Sequence, residues 1–324
     1  MIEAAPRRLL IGAVSAAAIA VAFWLDRIPQ DPGYHEFADS DALFGIPNFW
    51  NVATNLPFLF VGLIGLAWQS RLQVQASKTQ YLVFCIGVLL VGLGSAYYHW
   101  VPSTPALVWD RLPMTVGFMA LFSAVIQDRV SERLGRILLW PLVIAGVATI
   151  AWWYWSELEG RGDLRPYAVV QFLPMLLIPL MLLLFSGRGL RAAWLWATLA
   201  AYALAKVAEY FDAAIYGATG FLSGHSLKHL LAALAVWWAI RAFLEPRTAN
   251  LRPGTLKKGD AKKGTLPFFG KKKGSVPFLA SPFYFFKDRR RGPCRGRRGR
   301  WRDRWRPGRA GLRDSASCVR RRAG

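Results

Sequence analysis

Long apolar stretches recur along the first 245 positions, at roughly 8–25, 49–68, 80–99, 107–127, 136–155, 167–185, 191–215 and 225–244. A helix needs about 20 apolar residues to cross the hydrocarbon core of a bilayer. The pattern therefore predicts eight spans in an all-α, polytopic membrane helix bundle. Turn-forming clusters separate the stretches: Asp31-Pro32-Gly33, Pro102-Ser103-Thr104-Pro105, Gly160-Arg161-Gly162-Asp163 and Ser186-Gly187-Arg188-Gly189. The first stretch, behind Arg7 and Arg8, has the outline of a secretory signal. No small-x-small cleavage site closes it at Phe23-Trp24-Leu25, so it reads as an uncleaved anchor.

Polar positions then set the domain plan. The chain of 324 residues is 54% hydrophobic and carries a formal charge of +22. Taken alone, that charge points to nucleic acid. Its distribution argues otherwise: residues 247–324 hold 25 Lys/Arg against 4 Asp, whereas residues 1–246 hold 16 against 15 acidic residues. The plan is an N-terminal transmembrane anchor over 1–26, a membrane core over 27–247 and a basic low-complexity tail over 248–324. The tail contains a near-repeat, Lys263-Gly264-Thr265-Leu266-Pro267-Phe268 echoed by Lys273-Gly274-Ser275-Val276-Pro277-Phe278, and its composition buries too little apolar surface to build a core. A tether to anionic lipid or to nucleic acid is the functional reading of the tail, a low-complexity extension without a selected role the plainer one. No nucleic-acid partner is expected. Lys and Arg in the short loops favour one side by ten to four when both termini are cytoplasmic, which predicts a multi-pass protein of the cell membrane with both ends inside. Cys85, Cys294 and Cys318 show no paired spacing, so neither a disulfide framework nor a thiolate zinc site is readable.

Ionisable groups inside spans are costly and mark candidate sites. The third span ends Gly94-Ser95-Ala96-Tyr97-Tyr98-His99, the fourth opens Trp109-Asp110-Arg111-Leu112-Pro113, and the eighth opens Gly224-His225-Ser226-Leu227-Lys228-His229. Ser95 and His99, like His225 and His229, are four apart and share a helix face, about 6 Å apart along the axis. In the up-and-down order, all three segments reach the same, non-cytoplasmic boundary. Three neutral imidazoles, His99, His225 and His229, then form a three-ligand zinc pattern with an open position, where bound water is acidified to a pKa of about 7. Asp110 is placed to take a proton from that water or to orient a ligand imidazole. Ser95 is placed to hydrogen-bond water or an oxyanion. Each residue alone has a plainer reading: an interhelical hydrogen bond for the histidines, a back-bond to a helix carbonyl for Ser95, and a helix N-terminal charge or Arg111 partner for Asp110.

At these positions the sequence resembles the alkaline ceramidases, within a superfamily of seven-helix membrane hydrolases that includes the progestin and adiponectin receptors. Ser95, His99, Asp110, His225 and His229 follow the superfamily order, and Val91-Gly92-Leu93-Gly94-Ser95, Asp110-Arg111-Leu112-Pro113-Met114 and Phe49-Trp50-Asn51-Val52-Ala53-Thr54-Asn55 extend the likeness. The resemblance covers roughly residues 48–245 and implies a seven-helix core, to which the first span is an addition. It implies a zinc-dependent amidase that splits ceramide-type lipids into a sphingoid base and a fatty acid. His99, His225 and His229 would hold zinc, Asp110 would act as base and then acid, and Ser95 would support the oxyanion. The family also binds calcium through an acidic segment with a glutamate just before the Phe-Trp-Asn run; here that residue is Asn48, and Asp39 and Asp41 do not reproduce the spacing, which puts calcium in question. The alternative function is a lipid-binding receptor or scaffold with a structural zinc.

Four further groups stand out. Lys206, Glu209, Tyr210 and Asp212 crowd the seventh span, where Glu209 or Asp212 would line the amide cavity or Lys206 and Glu209 would form an internal ion pair. Asn51 and Asn55 suit bracing or interhelical hydrogen bonds. His35 reads as a solvated loop residue more readily than as a metal ligand. Trp152-Trp153-Tyr154-Trp155 sits where an interfacial aromatic belt belongs.

Overall fold

The computed structural model describes residues 4–72 and 75–245. These belong to the first of two compact units, Met1–Thr255; the basic tail with its near-repeat, Cys294 and Cys318 lies outside the described residues. Helices make up the described chain, in the order α1 (Ala4–Trp24), α2 (Phe49–Ala53), α3 (Leu56–Ala67), α4 (Lys78–Trp100), α5 (Thr104–Arg129), α6 (Glu132–Leu158), α7 (Arg165–Leu184), α8 (Ala192–Tyr210), α9 (Asp212–Thr219) and α10 (Gly224–Leu244). No strand forms among the described residues. Serine side chains start three of the long helices: Ser103 accepts from the Ala106 N–H, Ser131 from Leu134 and Ser223 from Ser226.

Among the described residues six spans are long and apolar enough to cross a membrane, namely α1, the α2–α3 pair, α4, α6, α7 and α10, and the protein is a multi-pass membrane protein. The other two expected spans, α5 and α8, are helical over 26 and 19 residues. Their hydropathy is lowered by Asp110, Arg111, Asp128 and Arg129 in α5 and by Lys206 and Glu209 in α8. Arg111, Asp128 and Arg129 are buried in the bundle, so the polar groups turn inward.

Two spans that read as continuous are broken. Between α2 and α3, Pro57 lacks the N–H that would bond the Ala53 carbonyl, and its ring would meet that carbonyl in a regular helix. Around the break the Asn55 N–H turns to the Val52 carbonyl and the Asn55 side chain takes up the Asn51 carbonyl at 2.7 Å, while the Thr54 hydroxyl adds a second bond to the Trp50 carbonyl at 2.6 Å. The seventh span breaks at Phe211. There the Asp212 carboxylate leaves its own helix to accept from the Ala38 N–H at 3.3 Å and the His225 N–H at 2.6 Å. Those bonds tie the loop before α2 and the start of α10 to one carboxylate.

Close helix approach positions the site. A Cβ at Gly94 in α4 would lie 2.7 Å from the Trp109 carbonyl carbon, so α4 and α5 touch backbone to backbone beside Ser95 and Asp110. At Gly224, a Cβ would stand 2.8 Å from the Asp212 Cα, which seats the start of α10 against the α8–α9 break. Small residues at such crossings are how membrane helices come together, since burial among lipid tails supplies little drive. Helix α1 runs alongside α7, where Arg165 donates to the Leu25 carbonyl at 2.6 Å and Arg7 to the Leu184 carbonyl at 2.7 Å.

Candidate metal centre and cavity

The end of α4 and the first turns of α10 bring His99, His225 and His229 together, all three buried, with one ring nitrogen of each within 4.8 Å of the others. Their ring centroids are 4.8–5.0 Å apart. His99 Nε2 and His225 Nε2 stand 3.3 Å apart. Two ligands at 2.0–2.1 Å from a tetrahedral zinc are roughly 3.3–3.4 Å from each other, so this pair already has the spacing of a shared ion. The tautomer of His229 is set by its neighbours. The single Thr54 hydroxyl proton goes to the Trp50 carbonyl, so at 3.0 Å Thr54 Oγ1 accepts from His229 Nδ1–H. That leaves the Nε2 lone pair of His229 facing the cluster. Lys228 Nζ lies 3.4 Å from His225 Nδ1, and His99 Nδ1 is buried without a partner. The donor set of three uncharged nitrogens in a buried pocket fits a zinc ion.

Ser95 and Asp110 face each other across the α4–α5 contact, and the Ser95 hydroxyl interacts with the Asp110 carboxylate. Both line a cavity of about 400 Å³ together with His229, Lys228, Glu209 and Arg111. Away from this polar end the wall is apolar, passing Met114, Phe118 and Leu121 on α5 and Ile178, Leu195 and Val236 on the helices opposite. Glu209 accepts from Lys206 and from Lys228, each at 2.7 Å. It therefore both lines the cavity and forms the internal ion pair expected of Lys206 and Glu209. Asp212 does not line the cavity; it brackets the loop and the start of α10.

The loop before α2 closes over the histidines. Phe37 packs its ring 4.7 Å from that of His99 and 5.0 Å from that of His225. His35 stays outside the cluster, with Nδ1 3.0 Å from the Tyr98 hydroxyl and Nε2 3.1 Å from Thr104 Oγ1. Burial, and after it the Arg111 cation, hold its imidazolium below the usual range. Asn51 ties the loop to α10, donating to the Asp39 carbonyl at 2.8 Å and accepting from Ser226 at 2.8 Å. Asp39 is fully buried, and this burial raises its carboxyl pKa against the opposing Asp41 N–H. Asn48, at the position of the family's glutamate, donates to the His99 carbonyl at 2.8 Å.

One expectation is corrected. Trp152 and Trp155 are exposed as an aromatic belt requires, at 45% and 47%, but Trp153 is wholly buried beneath the Arg111 guanidinium, 4.4 Å from ring to cation. Three participants had no role assigned from sequence: Thr54, Phe37 and Lys228. Lys228 carried a signal, being a charge between two histidines in a span. Thr54 and Phe37 act only through contacts distant in sequence.

Residues 44–186 match the family described as Ceramidase. The matched stretch carries Ser95, His99 and Asp110 and ends before His225 and His229, which the fold brings to it. No curated protein matches the chain.

Proposed function

We propose, from the match of residues 44–186 to the ceramidase family, that this chain is an amide hydrolase of that family, a zinc-dependent membrane amidase that cleaves ceramide-type lipids to a sphingoid base and a fatty acid. The observation that carries the reading is that His229, one of three clustered buried histidines, lines the same cavity as Asp110 and Ser95, at the polar end of an apolar wall. His99, His225 and His229 hold the zinc. When bound, zinc supplies a Lewis acid for the amide carbonyl and eases deprotonation of water. Asp110 takes a proton from the attacking water as the oxygen adds to the carbonyl carbon. Once Asp110 has taken that proton it no longer needs the Ser95 hydroxyl, which turns to donate to the oxygen that gains charge. Asp110 then returns the proton to the nitrogen as the C–N bond breaks, releasing the amine and the carboxylic acid. The apolar wall around Met114, Phe118 and Leu121 houses the acyl chain.

The ten-to-four charge bias supports cytoplasmic termini, with the histidines near the outer face. The contacts of α1 with α7 support an anchor that stays attached to a core over 27–247. Metal content of the purified chain, followed by fatty-acid release from labelled ceramide, tests the reading. Wild type should hold about one zinc per chain and release fatty acid, as three ligands plus water allow. His225→Ala should lose both, and Asp110→Asn should keep zinc while losing turnover. Full activity in Asp110→Asn would refute the base assignment, and a folded chain without metal would remove the mechanism.

A further inference from the structure

Arg111, one residue beyond Asp110, is the least balanced charge at the cavity. It is 6% exposed, and its Nη1 is buried with no hydrogen-bond partner. Three aromatic rings surround the guanidinium, Trp153 at 4.4 Å, Tyr167 at 5.1 Å and Tyr34 at 5.3 Å. Ring faces attract a cation but do not satisfy a fork of five N–H donors. No described acidic side chain pairs with it, whereas Lys206 and Lys228 share Glu209 between them. With Asp110 and Glu209 as the acids and Arg111, Lys206 and Lys228 as the bases, the polar end carries a surplus positive charge. The two lysines hold one acid between them and Asp110 lies within electrostatic reach of both Lys228 and Arg111, so the three cations share the surplus, and Arg111 is the one with no described carboxylate in ion-pair contact. A desolvated, unmatched guanidinium is costly, and an incoming oxyanion relieves the cost.

We propose that Arg111 is the head-group site, and that the preferred substrates are N-acyl lipids whose amine-derived part carries an oxyanion, a phosphate or a carboxylate. The inference rests on the amidase reading, in which the scissile amide stands at Asp110. The apolar wall runs from there along Met114, Phe118 and Leu121, which takes the acyl side. Along α5, Arg111 precedes Met114, Phe118 and Leu121 and stands beside Tyr34, on the side of Asp110 left for the amine part. The planar fork suits phosphate or carboxylate in a two-bonded grip, and the rings keep it in one orientation.

The test reads binding without turnover. Full-length Asp110→Asn protein in neutral detergent micelles is titrated with two matched pairs, ceramide 1-phosphate against ceramide and N-oleoylglycine against N-oleoylethanolamine, following Trp fluorescence. The acidic member of at least one pair should bind about tenfold tighter or more, the scale of a charge-assisted hydrogen bond. A preference in only one pair identifies the oxyanion. Adding Arg111→Gln should bring the pair within about twofold and leave the neutral lipid within about threefold of its starting affinity. Arg111→Lys, which keeps the cation among the rings and guards against misfolding of the Gln variant, should lose at least about threefold of the preference because the fork is gone. Equal binding within both pairs, an unchanged preference in either variant, or equal weakening of both members would overturn the proposal. Failure of the wild type to hydrolyse any of these lipids would count against the amidase reading alone.

Discussion

Gly94→Ala probes how tightly the α4–α5 crossing holds the chemistry. The added methyl would stand 2.7 Å from the Trp109 carbonyl carbon, with the Trp109 oxygen nearer still. Carbon atoms in good contact are about 3.5–4.0 Å apart, so the two backbones must separate by roughly 0.8–1.3 Å. Neither partner can yield by a rotamer change, because both are main chain. The displaced residues are Ser95, next to Gly94, and Asp110, next to Trp109. Overpacking of this kind costs about 1–3 kcal/mol of stability, and a displacement near 1 Å in a catalytic constellation costs on the order of 10²-fold in rate. The assay is amide hydrolysis by purified Gly94→Ala in detergent, beside thermal unfolding of the same samples. Gly12→Ala in α1, where a Cβ meets nothing within 4 Å, is the control and should leave both readings unchanged. If Gly94→Ala retained activity within about threefold of wild type, the backbone contact would not be what sets the Ser95–Asp110 geometry.

Thr54→Val removes the hydroxyl that accepts from His229 Nδ1–H, and zinc affinity measured by chelator competition should fall about 10- to 100-fold; an unchanged affinity would mean that this bond does not orient His229. Glu209→Gln leaves Lys206 and Lys228 facing each other without their shared acid and should lower unfolding stability by about 3 kcal/mol, with a rise in stability speaking against the ion-pair account. The Asp163 carboxyl is held below its usual pKa, chiefly by its hydrogen bond from the Arg165 side chain. Its contribution is therefore complete above the unfolded carboxylate value, about 3.9, and is lost as pH falls through the lower folded value. Thermal unfolding of wild type and Asp163→Asn should differ at neutral pH and converge in strong acid; a gap that widens on acidification would contradict this sign.

The long apolar runs made the helices legible, since twenty lipid-facing residues leave little freedom in composition. The four-residue spacings in α4 and α10 put the histidines on shared faces before any packing was known. The breaks were not legible in the same way. Hydropathy averages over Thr54 and Phe211, whereas the break between α2 and α3 follows from one missing N–H at Pro57. The break at Phe211 releases Asp212 to the His225 N–H. Trp153 was misplaced because an aromatic beside other aromatics has the same local pattern at an interface as over a cation, and only the α5–α6 contact distinguishes them. Arg111 drew attention only as a partner for Asp110, because sequence adjacency hides the turn of about 100° that a helix puts between neighbours.

Phe37 covers the histidines on the loop side, and this affects how the enzyme senses its substrate. With that approach covered, the amidase reading has the lipid reach Asp110 along the apolar wall of the cavity, as a substrate drawn from the membrane would. The relevant concentration is then the mole fraction of lipid in the surrounding film, not its amount per volume of buffer. Diluting a fixed quantity of substrate with inert phospholipid should slow the reaction, while diluting the whole suspension of vesicles carrying the enzyme should leave the turnover of each molecule unchanged.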